Sequence, residues 1–401
     1  MSDSCASDQH GNQWRLNLTL DPVGQAHIQV LAADGDGEWQ SLPEEQRPPD
    51  EDWARLASDH CGFIWIENDK SRLRFDPRRP DKGWLPAEGA TPFDNDERDE
   101  SRSWKELARL PAGNHDIVSV THEGKLYISG GLTSYYGLPA DTHVFSEIFE
   151  YAPGADEWSV VGEMTQPRCY NGLACLGDEL WMLGGYANVS EPANRNAQRV
   201  TIDSVEILDL KTKLWRSGPA LTTPRGEILA FAAQGRVYVL GGTDSDQQAL
   251  SLMESIGSDE AEWRPETDLP LPMRQYAGCV IDDVFYVCHG GDGLFAYDVN
   301  SQSWLDLPQP SAKPRAPIMT AFKGEVWISA GQDVEDPVGT FIYSPGTQAW
   351  RKGPDAPSPQ AWAAASELEG RLVLVGGAHF SEEHRLFIFD DRVFVLNEEI
   401  S

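Results

Sequence analysis

An all-β fold, a propeller of repeated four-stranded sheets, is what this sequence predicts, and three recurrences predict it. The first is a short strand running into glycine. It reads KLYISGG at Lys125–Gly131, ELWMLGG at Glu179–Gly185, RVYVLGG at Arg236–Gly242 and RLVLVGG at Arg371–Gly377, with weaker copies VFYVCHG at Val284–Gly290 and EVWISAG at Glu325–Gly331. The second is a tryptophan between copies, at Trp104, Trp158, Trp215, Trp263, Trp304 and Trp350. The third is a residue ten or eleven positions beyond each tryptophan, namely Asn114, Arg168, Arg225, Arg274, Arg315 and Gln360.

Registered on the second glycine, the copies are 54, 57, 48, 41 and 46 residues apart. Periods of that size belong to propellers and related arrays, in which no single repeat can bury its own apolar face. Each unit reads as four antiparallel strands. Strand a follows the Asn/Arg/Gln position. Strand b is an apolar, β-branched or aromatic run that the glycines end by allowing positive φ. Strand c is the run seen in EIFEYAPGADEW, VEILDLKTKLW and GLFAYDVNSQSW. Strand d carries the tryptophan. From the Asn/Arg/Gln position to Tyr127, Trp181, Tyr238, Tyr286, Trp327 or Val373 of strand b the spacing is twelve or thirteen residues in every copy.

At the N-terminal side GFIWIEND (Gly62–Asp69) and RLRFDP (Arg72–Pro77) read as strands b and c of a further blade, with Trp84 or Trp104 on its strand d. At the other end LFIFD (Leu386–Asp390) and RVFVLN (Arg392–Asn397) read as the last strands c and d. The count is seven blades, with six plus an N-terminal β-extension as the alternative. The expected division is a flexible tail over residues 1–12, a β-strand extension over 13–48 and the propeller over 49–401, closed by joining its terminal strands. Pro48–Ser58 reads as a short helix, with Pro and acids in its first turn.

The glycine doublets, the tryptophan and the strand between them resemble the kelch repeat over roughly Gly62 to Asn397. A WD40 array is disfavoured, since no Trp-Asp dipeptide occurs. The resemblance implies the fold but leaves function open, because such propellers serve as enzymes and as adaptors. Copper oxidases of the galactose oxidase kind need two Tyr and two His ligands and a Cys–Tyr cross-link. Cys169 and Tyr170 are adjacent, but no Tyr-His pair occurs. No cofactor and no metal site is expected.

Composition narrows the classes further. A net charge of −32 over 401 residues argues against non-specific binding to nucleic acid or to anionic membrane. No signal-peptide pattern opens the chain and no apolar run approaches a membrane span, so a cytoplasmic protein is expected. The six cysteines lack CxxC pairing, and Cys175, Cys279 and Cys288 fall in strands, where buried free thiols are expected.

Antiparallel order puts the d–a and b–c loops on one face. Asn114, Arg168, Arg225, Arg274, Arg315 and Gln360 then ring the pore at the start of the inner strands. Two residues on, period-two alternation brings Asp116, Tyr170, Glu227, Tyr276, Pro317 and Trp362 to the same side. Guanidinium groups in a concave mouth suit an acidic peptide or a small anionic ligand. The competing reading pairs each arginine with an acid on a neighbouring blade. The resemblance implies two functions for such a mouth. Kelch adaptors hold acidic segments of protein partners with arginines at this repeat position. Kelch epimerases act on sugar acids such as N-acetylneuraminate. Here Glu227, Asp116 or His115 would serve as acid and base, and Arg168, Arg225 or Arg274 would hold the acid group.

Overall fold

The computed structural model describes eight strands within residues 5–86. Beyond them it describes residues 103–134, 142–188, 199–274, 277–289, 293–309, 316–329, 339–358, 360–381 and 386–397. Every regular element among the described residues is a β-strand. Contacts divide the chain into two compact units: Met1–Arg98 with Ser381–Arg385, and Asp99–Phe380 with Leu386–Ser401.

The first unit holds two four-stranded antiparallel sheets, each in simple sequence order. One contains Cys5–Ser7, Gln13–Leu20, Ala26–Ala33 and Gln40–Ser41. The other contains Arg55–Ser58, Ile64–Glu67, Arg72–Phe75 and Trp84–Pro86. This second sheet is the stretch expected to be the first of seven blades. It has the four strands, but it belongs to the other unit, and its Ile64–Glu67 strand runs into Asn-Asp rather than a glycine pair. Residues 49–98 fall within the first unit. Two smaller expectations also change. Cys5–Ser7 pairs with Gln13–Arg15, so the first twelve residues are not a bare tail. Arg55–Ser58 pairs with Ile64–Glu67, so strand pairing overrides the helix-start signal before it. Residues 48–54 lie outside the described residues.

The second unit is a six-bladed propeller, the alternative count. Blade 1 comprises Val118–His122, Lys125–Ser129, Glu147–Ala152 and Glu157–Glu163 as strands a to d. Blade 2 comprises Gly172–Leu176, Glu179–Leu183, Val205–Asp209 and Trp215–Gly218. Blade 3 comprises Leu229–Ala233, Arg236–Leu240, Met253–Gly257 and Arg264–Pro265. Blade 4 comprises Ala277–Ile281, Val284–His289, Gly293–Asp298 and Ser303–Leu307. Blade 5 comprises Ile318–Phe322, Glu325–Ser329, Thr340–Ser344 and Ala349–Lys352.

Blade 6 takes Ala364–Leu368, Arg371–Val375 and Val393–Leu396 from the C-terminal side and Trp104–Glu106 from the N-terminal side. Closure therefore joins the chain ends, as expected, and removes the exposed sheet edge. The strand roles differ from the expected ones. RVFVLN supplies strand c, and strand d is the Trp104 strand. LFIF instead pairs with Ala378–Ser381 in a small hairpin. The buried Asp390 and Asp391 carbonyls accept the Asn114 and Leu110 amides, and Arg109 lies 3.6 Å from the Asp391 carboxylate. With strand d of blade 6 supplied by Trp104, the six tryptophans account for the six blades.

The repeated residues are explained by contacts between blades. At Gly185 the backbone adopts φ 102°, and a Cβ there would stand 2.8 Å from the Cys169 carbonyl. Its amide donates to the carbonyl of Arg225 in the next blade at 2.9 Å. The same bond runs from Gly131 to Arg168, from Gly242 to Met273 and from Gly377 to Asn114. On the outer strands, indole N–H groups donate to carbonyls at the exit of the preceding blade: Trp104 to Asp355, Trp158 to Ala108, Trp263 to Pro219, Trp304 to Thr267 and Trp350 to Pro308. The b strands are buried along nearly their whole length, which is why they read as continuous apolar runs. The a strands converge on the axis and are rich in small residues. At Gly278 a Cβ would lie 2.7 Å from the Leu229 side chain of the neighbouring inner strand.

Candidate functional site at the mouth of the central channel

A channel of about 530 Å³ runs between the six a strands. Its wall is mostly apolar or small, with Ala230, Phe231, Val280 and Met319 among the lining residues. One end is rimmed by the segments that enter the a strands. Isolated bridges join these segments to the b–c connections: His115 to Leu132, Cys169 to Tyr186, Gly226 to Thr243 and Ala361 to Ala378. The d–a and b–c loops thus share a face. The long b–c connections of blades 1 and 2 begin as two-stranded hairpins, Leu132–Ser134 with Thr142–Val144 and Tyr186–Asn188 with Arg199–Thr201. The remainder of those loops, with Tyr135, Tyr136 and Arg195, lies outside the described residues.

The arginines do not form the expected ring. Arg168 is fully buried, and its guanidinium donates to the carbonyls of Gly184 (3.1 Å) and Ser204 (3.0 Å) and to Glu206 (2.6 Å). Arg225 is equally buried and donates to the Gly241 and Leu252 carbonyls and to Glu254 at 2.7 Å. Burial pulls the Arg168 guanidinium below its usual range, and Glu206 opposes that shift. An arginine stays charged even so. Both cations are therefore committed to a carboxylate on strand c of their own blade, and neither lines the channel. Asn114 and Gln360, at the same repeat position, are buried too, and the Asn114 amide donates to the Gly130 carbonyl. These four are scaffold residues.

Arg274 and Arg315 occupy a different position. Strand pairing sets Phe231 opposite Tyr238, Cys279 opposite Tyr286 and Thr320 opposite Trp327. Counting back from these pairs, the counterpart of Arg225 is Met273 in blade 4 and Pro314 in blade 5. The bond from Gly242 to the Met273 carbonyl fixes the first of these directly. Arg274 falls one residue later and is exposed. Arg315 lies outside the described residues. The signal was present in the sequence: these two arginines stand twelve residues before their b-strand aromatic, whereas Arg168 and Arg225 stand thirteen before theirs.

Strand c carries a matching signal. The residue paired with Ile128, Met182, Val239, Val287, Ile328 and Leu374 is Phe149, Glu206, Glu254, Phe295, Phe341 and Phe394 in turn. Glutamate stands only in the two blades that bury an arginine, and phenylalanine in the other four.

The channel mouth is set by the next residues. Asp116, Tyr170, Glu227, Ala316 and Trp362 all have positive φ, between 49° and 58°. The extended alternation therefore breaks here. Each of these residues lines the channel, whereas the buried Asn114, Arg168, Arg225 and Gln360, two positions before four of them, do not. In blade 5 the mouth position is Ala316, not Pro317. In blade 4 the same register points to Gln275, and both it and Tyr276 lie outside the described residues. Going around the mouth from blade 6 to blade 3, the side chains are Trp362, Asp116, Tyr170 and Glu227.

Asp116 has a fully buried side chain. Its carboxylate is 2.8 Å from the His115 Nδ1 but out of line for a hydrogen bond, and neither oxygen has a hydrogen-bond donor. His115 stacks on Phe389 at 4.3 Å. Tyr170 packs edge-on against Tyr186. Burial raises the Tyr186 phenol, and the nearby Glu227 charge adds to that shift. The three residues named as candidate acid and base are thus adjacent to or part of the mouth.

Other chemistry is sparse among the described residues. Cys169, Cys175, Cys279 and Cys288 are free thiols. Burial pushes Cys175 up to about 11 and Cys288 to about 12. His122, Glu123 and Asp178 bring ligand atoms within 4.8 Å of one another at a–b turns, but His122 and Lys211 both bond to Asp178. No helix among the described residues is long and apolar enough to cross a membrane.

Fold and site together define a closed six-bladed propeller with a chemically varied rim around one end of its channel. The comparisons with known proteins support a kelch-repeat family. The Kelch motif matches residues 167–222, which run from the start of blade 2 to the entry of blade 3. Beta-scruin of Limulus polyphemus is 22% identical over 73% of this chain and 34% of its own length. Kelch-like protein 25 of Xenopus tropicalis is 25% identical over 61% of this chain and 41% of its own. Kelch repeat and BTB domain-containing protein 12 of Homo sapiens is 31% identical over 45% and 30%. The chain spans less than half the length of each of these relatives. The solved structure of YjhT matches with a TM-score of 0.57 at 14% identity, over 73% of this chain and 99% of that one, a likeness of fold.

Proposed function

We propose that the chain is a protein-binding kelch propeller that receives a segment of its partner at the channel mouth. One observation carries this reading. At scaffold positions the blades repeat their chemistry, with Gly, Trp and Phe recurring. At the mouth position the backbone repeats to within about ten degrees, yet the side chains are Asp, Tyr, Glu, Ala and Trp. Positive φ costs a non-glycine residue of the order of 1 kcal/mol, and Ala, Glu, Tyr and Trp gain nothing locally from it. A conserved frame that presents different groups is what recognition requires and packing does not.

The finer expectation, an acidic peptide or small anionic ligand, loses its main support, because Arg168 and Arg225 are committed to Glu206 and Glu254. Of the four arginines expected to hold an anion, Arg274 is the one left exposed among the described residues. A sugar-acid epimerase would use Glu227, Asp116 or His115 and needs the same anion hold, so it is the weaker reading. A peptide array tests the choice. Saturable binding that Trp362→Ala and Tyr170→Ala each weaken at least tenfold is the expected result. Binding indifferent to both, or sugar-acid epimerisation abolished by Glu227→Gln, would overturn it.

A further inference from the structure

We propose that the mouth selects a cationic side chain, a lysine or arginine of the partner segment, at the arc formed by Trp362, Asp116, Tyr170 and Glu227. The inference rests on the binding reading above and names the chemistry of what is bound. Four neighbouring blades present aromatic, acid, aromatic and acid in turn at one repeat position. Among the described residues, the arginines expected beside them in these blades do not line the arc. Arg168 and Arg225 point into their own blades and are neutralised there by Glu206 and Glu254.

The buried carboxylate of Asp116 is the independent observation. Its side chain is inaccessible, it lines the channel, and neither oxygen accepts a hydrogen bond, the His115 Nδ1 at 2.8 Å standing out of line for one. A carboxylate in that state is costly to maintain, and the cost is recovered when a cation is brought alongside. A lysine or arginine entering the mouth would pair directly with the half-buried Glu227 and lie in the field of Asp116 beneath it. The partly exposed rings of Tyr170 and Trp362 would cover its methylene stem and offer their faces to its charge. An anion would meet the same field with the wrong sign. The chain's net charge of −32 also draws a basic segment toward the mouth from a distance.

The test uses the full-length chain and fluorescent octalysine, octaglutamate and spermidine, titrated at about 0.15 M salt to screen diffuse attraction. Asp116→Asn suits its left-handed backbone, and Glu227→Gln conserves shape. The double variant should weaken octalysine at least tenfold. A control of equal charge change at exposed positions, Asp259→Asn with Asp306→Asn, should change it less than twofold. Equal weakening by the two double variants would show that the net charge alone holds the ligand, and the inference falls. Tighter binding of octaglutamate, or of an acidic array peptide lost in Trp362→Ala, would also sink it while leaving a binding mouth intact. Spermidine bound as tightly as octalysine would assign the site to a free amine and overturn the protein-segment assignment. Absence of mouth-dependent binding by any probe or array peptide would overturn both proposals.

Discussion

Replacing Arg225 by methionine tests whether the buried arginines belong to the scaffold. Arg225 and Glu254 are 0% and 1% exposed at the side chain, and Thr222 also donates to Glu254. Removing the guanidinium alone leaves a buried carboxylate with its charge uncompensated, and breaking such a pair costs about 3–5 kcal/mol. Blade 4 shows what the rest of the blade tolerates. There Met273 and Phe295 occupy the two positions and pack in one apolar cluster. The double variant Arg225→Met with Glu254→Phe should therefore recover most of the loss. The Gly241 and Leu252 carbonyls still lose a donor, which leaves a residual cost of about 1–2 kcal/mol. The expected coupling between the two sites is at least about 2 kcal/mol. Urea unfolding followed by tryptophan fluorescence reads all four corners of the cycle. A loss below about 1 kcal/mol for Arg225→Met, or a double variant as unstable as the sum of the singles, would refute the reasoning.

Three further outcomes are expected. A chain ending at Phe389 lacks strand c of blade 6 and the seat of the Trp104 strand, so it should not fold cooperatively; a melting curve matching that of the full chain would contradict velcro-like closure. Cys175, Cys279 and Cys288 should resist alkylation in the native state at about pH 8, because burial holds their thiols far above the usual range, and mass mapping of their peptides would expose any fast labelling. Burial, assisted by Arg392 and opposed by Asp390, holds His379 below its ordinary 6.5. Its contribution to stability is thus present above that value and lost as pH falls toward the folded-state value. His379→Gln should flatten the acid side of the thermal-midpoint profile, and an unchanged profile would count against the assignment.

Much of the fold was legible because scaffold contacts repeat. The glycines, tryptophans and apolar b strands each do one job in several blades, so their period exposes the architecture. The blade count was miscounted for a physical reason. Ile64–Glu67 and Arg72–Phe75 form a sheet of the expected size, and in sequence only the lack of any glycine closing its second strand sets it apart from the six repeats. The ends misled similarly: LFIF and RVFVL have equal strand character, and only pairing shows that Val393–Leu396 sits between Arg371–Val375 and Trp104–Glu106. The site was legible in part. The mouth positions Asp116, Tyr170, Glu227 and Trp362 emerged from spacing. The arginines were misassigned because alternation was carried through residues that are left-handed, and because a spacing of twelve was treated as equal to thirteen. In a segment beside a strand, one residue decides whether an arginine is buried or exposed. The alternation of Phe and Glu on strand c could have revealed which arginines were already paired.

Hydroxyl-radical footprinting of the chain with a bound peptide tests the central claim most directly, since it reads where the partner sits whatever its charge. Tyr170 and Trp362 are partly exposed at the mouth, while Val160 and Leu305 are exposed on outer strands. The account predicts that bound peptide lowers oxidation of Tyr170 and Trp362 and leaves Val160 and Leu305 unchanged. Protection confined to the outer strands, with Tyr170 and Trp362 oxidised as in the free protein, would contradict it.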